Sequence, residues 1–140
     1  MGFTDRTGHT QFGVLPYRAD SRGNTEVLLL TSRDTGRWVI PKGWPIRGRK
    51  PHEAAAIEAF EEAGVRGNVA KKSIGEYHYS KKISEREDRL CEVEVFLMLV
   101  TRVLDKWPEQ SQRQRAWFGP SVAAALVDEG ALAIMLGNLL

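Results

Sequence analysis

Apolar residues along the chain fall into short runs broken by turn residues, with one alanine-rich stretch among them. QFGVLPYR (11–18) reads as a strand, with Pro16 marking an edge position or a bulge. TEVLLLTSR (25–33) is short, apolar and turn-bounded, the pattern of a buried strand, and RWVI (37–40) is a third short strand. SRGN (21–24) and DTG (34–36) supply the turns between them. NVAKKSIGEYHYSKK (68–82) predicts one or two strands with a bend at Gly75, and the polar ISEREDR (83–89) a hairpin loop. LCEVEVFLMLVTRV (90–103) is the longest strand signal, and its second half is apolar on both faces, as in a central strand. A loop follows, then a short strand at AWFG (116–119). Residues 120–140 are mostly helix, opened by Pro120–Ser121 and interrupted near Gly130. This order predicts an α+β sandwich, one mixed sheet between helices.

The centre of the chain breaks the strand pattern. PKGWPIRGRKP (41–51) holds three prolines and two glycines in eleven residues, which excludes a regular element and predicts a long, stiff loop. Pro51 suits a first helical position, Glu53 puts negative charge in the first turn, and Gly64 is a natural stop. Between them Ala56, Ile57, Phe60 and Ala63 follow helical periodicity. The same helix carries Glu58, Glu61 and Glu62, spaced i,i+3 and i,i+4. Like charges so placed destabilise a helix by a few tenths of a kcal/mol per pair.

Composition narrows the function classes. The 140 residues suit one domain with a single core, taken as 1–140 with a flexible N-terminus over 1–9. Twenty basic against eighteen acidic side chains are too balanced to argue for a nucleic-acid or membrane partner. The lone cysteine, Cys91, opens a strand-like run; it excludes a disulfide framework and reads as a buried thiol. MGFTDRTGHTQFG lacks the basic-then-apolar pattern of a signal peptide, and no apolar run approaches the ~20 residues of a bilayer span. A reducing, cytoplasmic location is the expectation. A monomer and a homodimer remain equally open.

On spacing alone, the three glutamates fit a solvated helix face better than a metal site. The loop before them adds information. Lys42, Gly43, Arg47 and Gly48 offer cations and close backbone approach beside carboxylates that a hard cation such as Mg²⁺ would accept. An anion-binding loop joined to a carboxylate cluster is what phosphoryl chemistry needs.

GWPIRGRKPHEAAAIEAFEEAGV (43–65) resembles the Nudix box, the loop–helix–loop signature of Nudix hydrolases. The family pattern runs Gly, five residues, Glu, seven residues, Arg-Glu-aliphatic-any-Glu-Glu-any-Gly-aliphatic. Gly43, Glu58, Glu61, Glu62, Gly64 and Val65 fall on it, with Ala59 at the aliphatic position. WVIPKG before the box and AWF followed by a helix are also typical, so the resemblance covers about residues 10–135. It implies an α/β/α sandwich and hydrolysis of a diphosphate linked to another moiety. It also implies that Glu58, Glu61, Glu62 and the backbone carbonyl of Lys42 bind Mg²⁺ or Mn²⁺, with Glu58 serving as or assisting the general base. An acid from outside the box often joins them; Glu92, Glu94 and Glu109 are the candidates.

WVIPKGWPIRG and RQRAWFGPSVAAALV resemble the branch acting on diphosphoinositol polyphosphates and dinucleoside polyphosphates, so the expected partner is a small phosphorylated molecule. Arg18, Arg33, Lys42, Arg47, Lys81 and Arg115 are the cations assigned to such a substrate, with Gly43 and Trp44 from the loop. Trp107 is a further contact candidate, whereas Trp38 and Trp117 read as core. Two box positions depart from the pattern: Arg49 stands for the first Glu and Ile57 for the Arg. In the family these form a supporting pair. Their joint loss leaves no lone buried charge, but it leaves open a second reading, a phosphate-ligand binding or regulatory module with weak catalysis. Ile57→Arg alone is expected not to raise turnover, because its family partner, a glutamate, is replaced by Arg49. A clear gain in phosphate release from that single change would count against a paired loss.

Overall fold

A computed structural model describes residues 9–139. The N-terminal segment expected to be flexible lies, apart from His9, outside those residues. The strands are β1 (Thr10–Ala19), β2 (Thr25–Thr31), β3 (Trp38–Val39), β4 (Lys42–Gly43), β5 (Val65–Val69), β6 (Gly75–Ser84), β7 (Glu87–Val103) and β8 (Arg115–Phe118). The helices are α1 (Pro51–Glu58), α2 (Pro120–Leu126) and α3 (Gly130–Gly137), and α1 continues into a wider π-helical turn over Ala59–Ala63.

All eight strands belong to one mixed sheet. Its centre is β7, as the two-sided apolar pattern predicts. One edge of β7 runs parallel to β1, with Thr10 opposite Glu92 and Tyr17 opposite Leu99. The other edge serves two antiparallel partners in turn, β6 and then β5. The expected hairpin loop at 83–89 is shorter than its polarity suggests, because β6 and β7 run on to a turn at residues 85–86.

Pro16 departs from expectation. It sits in an internal strand, opposite Met98. On its other edge β1 pairs with β4 at Phe12–Gly13 and with β2 at Tyr17–Ala19. Pro16 lies in the gap between the two, where no ladder bond needs its missing N–H. The loop at 41–51 also differs, since Lys42 and Gly43 pair with β1. Two residues are too few to carry a periodic signal.

Alternation along β2 explains its unbroken apolar run. Leu28 and Leu30 face a core formed with Val14, Phe96, Met98 and the α1 residues Ala55, Ala59 and Ala63. Val27 and Leu29 face a second core with Leu15, Val93, Val95 and the α2–α3 residues Ala123, Leu132 and Leu136. Each of these leucines is fully buried, worth roughly 2 kcal/mol of transfer free energy apiece. The result is the α/β/α sandwich, with α1 on one face and α2–α3 on the other. Cys91 is a buried free thiol in β7, and Trp38 and Trp117 pack at the edges of the two cores.

The acidic helix ends at Gly64, in the left-handed conformation with φ 67°. Its N–H is shared between the carbonyls of Ala59 and Phe60, and a Cβ there would overlap the ring of Trp107. Gly64→Ala therefore combines backbone strain with a clash against an anchored indole. It is expected to lower stability by on the order of 2 kcal/mol in urea denaturation. A change within 0.5 kcal/mol, the range of ordinary surface substitutions, would show that this close approach is not required.

Candidate active site

The packing of β4 under α1 brings the acidic side chains together. Gly43 lies directly beneath Glu58, and a Cβ at that position would overlap the Glu58 carboxyl group. The glycine therefore admits a side chain of the protein itself. The wider turn at 59–63 contributes as well. A π-turn makes less angle per residue than an α-turn, so four residues bring Glu62 close to the azimuth of Glu58. The two carboxyl groups lie close enough for each to oppose ionisation of the pair. Burial, followed by repulsion from Glu62, Glu61 and Glu109, pushes the Glu58 carboxyl up to about 8. Glu62 is 9% exposed. Burial raises its pKa too, while Arg113 and Lys42 pull the other way.

Both oxygens of Glu62 have partners. The Lys42 N–H donates to Oε1 at 3.3 Å, and Arg113 Nη2 pairs with Oε2 at 3.5 Å. Arg113 also donates from Nε to Glu109 at 2.8 Å and from Nη1 to the Thr31 carbonyl at 3.2 Å. The loop at 104–114 that carries Glu109 and Arg113 is fastened to the helix end by two bonds. Trp107 Nε1–H donates to the Glu62 carbonyl at 3.1 Å, and the Glu109 N–H to the Glu61 carbonyl at 3.0 Å.

Among the three candidate outside acids, the structure brings Glu109 to the cluster. Glu92 pairs with His78 at 3.3 Å on the β6 side of the sheet, and Glu94 lies beside Glu76 and Glu92. Trp107, expected at substrate, is instead the anchor of the loop. Arg113, which the sequence offers only as one basic residue among several suited to an anionic substrate, is held against the carboxylates of Glu62 and Glu109.

The cations expected at substrate separate into groups. Lys42 is half-buried; its ammonium sits 4.9 Å from the Tyr79 ring centroid. Burial lowers its pKa, countered by Glu62 and reinforced by nearby Lys81. Lys42 thus stands beside Glu62, with Lys81 near its ammonium. Arg47 is exposed and Trp44 half-buried, both in the loop before α1. Arg115 is a correction. Its guanidinium donates to the carbonyls of Ala63, Gly64 and Leu104 and stacks on Trp107, so it clamps the helix end. Arg18 is likewise engaged, paired with Glu26 at 2.7 Å and stacked on Trp117. Arg33 bonds Gln112 at the surface.

The two departures from the box pattern lie together elsewhere. Arg49 and Ile57 line a cleft of about 410 Å³ with His52, Ala56, Asn68 and Val69, between α1 and β5. Arg49 is exposed, so no buried charge is stranded by the change.

The donors suit a hard divalent cation. They are carboxylate oxygens, crowded enough to hold one proton between them, and a positive ion would relieve that repulsion. Among the described residues no three carboxylate, imidazole or thiol groups already enclose such an ion.

The site thus consists of a glutamate helix seated on the β4 glycine at the edge of a mixed sheet held between helices. The family model described as the NUDIX domain matches residues 8–134, and the chain belongs to that family. Nudix hydrolase 21, chloroplastic, of Arabidopsis thaliana is 36% identical over 118 residues, 81% of this chain and 57% of that protein. Diphosphoinositol polyphosphate phosphohydrolase 3-beta of Bos taurus is 34% identical over 101 residues, 70% of this chain and 57% of that protein. The chain thus spans a little over half the length of these relatives. An Ap4A hydrolase structure from C. elegans superposes with a TM-score of 0.70 at 21% identity, over 92% of this chain and 93% of that one, and shares the fold.

The raised pKa of Glu58 fixes a sign for metal-free stability. Below its ordinary 4.5 the group is protonated both folded and unfolded, and it has no effect. Between 4.5 and about 8 only the unfolded chain releases the proton, so stability falls as pH rises. Glu58→Gln is expected to be more stable than wild type at pH 8, with the advantage vanishing toward pH 4. Thermal melts in chelator across that range provide the check, and an advantage that grows toward acid would contradict it.

Proposed function

We propose that this chain is a metal-dependent pyrophosphohydrolase. It cleaves a diphosphate linkage in a nucleoside- or inositol-polyphosphate-type substrate by attack of water at phosphorus. The observation that carries this reading is the Glu58–Glu62 carboxyl pair seated on Gly43, with Glu61 and Glu109 close enough to raise its pKa. In this reading Glu58, Glu61 and Glu62, with the Lys42 carbonyl and Glu109, hold Mg²⁺ or Mn²⁺. When bound, such an ion supplies charge neutralisation at the diphosphate and activation of water. Glu58 accepts the proton of the attacking water as the anhydride P–O bond breaks. Lys42 and Lys81 stand where the departing phosphate gathers negative charge, and Arg47 and Trp44 extend the contact along the loop. Substrates named for relatives, an inositol pyrophosphate class and Ap4A, agree with a polyanion facing these cations. A reducing, cytoplasmic setting remains part of the proposal, resting on composition alone.

A second reading keeps the fold and the ligand class but drops efficient turnover. Two observations favour it: no three-donor cage stands ready among the described residues, and the box pair is replaced by Arg49 and Ile57. The two readings separate in a phosphate-release panel with Mg²⁺ or Mn²⁺. It should span dinucleoside polyphosphates, nucleoside di- and triphosphates, nucleotide sugars and inositol pyrophosphates. Metal-dependent release is expected on at least one substrate, falling by about tenfold to a hundredfold or more in Glu61→Gln and Glu62→Gln. Release no greater than in those variants, on every substrate, would leave the binding module as the reading.

A further inference from the structure

We propose that Arg113 is the positioning residue that orients the carboxylate cluster, in place of the arginine absent at position 57. The inference rests on the metal-site reading above. The guanidinium is almost fully enclosed, its side chain 9% exposed. All three of its nitrogens are committed: Nε to Glu109, Nη2 to Glu62 and Nη1 to the Thr31 carbonyl at the end of β2. It therefore ties one carboxylate of the acidic helix and one of the 104–114 loop to a sheet strand in a single rigid fork. The third side of the arrangement is the Lys42 N–H, which holds the other oxygen of Glu62. Glu62 is thus held at both oxygens by groups outside the acidic helix. Position 57 could not take this role unaided, because Ile57 lines the cleft between α1 and β5 with Asn68 and Val69.

The planar fork distinguishes this role from simple charge neutralisation. A lysine at 113 would keep the positive charge but could not hold two carboxylates and a carbonyl in one plane. Removing the charge altogether would confound the test, because a nearby cation also repels a bound metal. Arg113→Lys is therefore the informative change.

The probe is Mn²⁺ alone, followed by the free-ion EPR signal at fixed pH, with the fold monitored by thermal melt. Arg113→Lys is expected to weaken Mn²⁺ binding about tenfold or more, the scale of a lost partner that orients a metal ligand. In the Glu62→Gln background the same change is expected to add little, because the residue acts through Glu62. Full additivity of the two changes would assign Arg113 a purely structural role and overturn the proposal. So would unchanged Mn²⁺ affinity in Arg113→Lys. A wild-type protein that binds Mn²⁺ no better than Glu62→Gln would instead overturn the metal-site reading, and this proposal with it. The native protein gives an independent readout: the Arg113 Nε–H resonance should exchange slowly with water and shift when Mg²⁺ is added. Exchange as fast as that of exposed arginines would also overturn the proposal.

Discussion

Two carboxyl groups, Glu58 and Glu62, are held close together where burial opposes their ionisation. Water would relieve that conflict at an exposed site, and an apolar core would exclude it. Here the surrounding fold sustains it. The alanine face of α1 seals against β2 and β7, which fixes the helix height above the sheet. β4 then presents main chain, not side chain, to the charged pair. The unfavourable electrostatics of the carboxyl pair is offset by two large apolar cores on either side of one sheet.

Much of this was legible in the sequence because it follows from period and chemistry. The two-sided apolar run placed β7 at the centre, Gly64 closed the helix, and the spacing of Glu58, Glu61 and Glu62 marked the cluster. What escaped depended on which residues meet across long chain separations. Nothing local distinguishes Arg115, which clamps three carbonyls, from a surface arginine. Trp107 reads as an exposed aromatic in a polar loop until Gly64 is seen against its ring. The π-turn is invisible to periodicity, since Ala59–Ala63 reads equally well as ordinary helix.

The loop at 104–114 shows how a site can move its supporting chemistry without moving its centre. The box arginine and its acidic partner belong to the helix and the loop just before it. In this chain a connection some fifty residues further on contributes a carboxylate, a guanidinium and an indole to the same end of the helix. The vacated positions, Arg49 and Ile57, now border a cleft on another face of the helix.

Gly43 carries a consequence of its own. The narrowest tolerance in the site falls on a residue with no functional group, because the main chain at that point forms the floor on which Glu58 rests. A single added methyl group there would oblige the Glu58 carboxyl to shift. An inventory of charged and nucleophilic side chains would pass over this position entirely. Part of the chemistry is specified by space left empty, which a search for reactive residues does not detect.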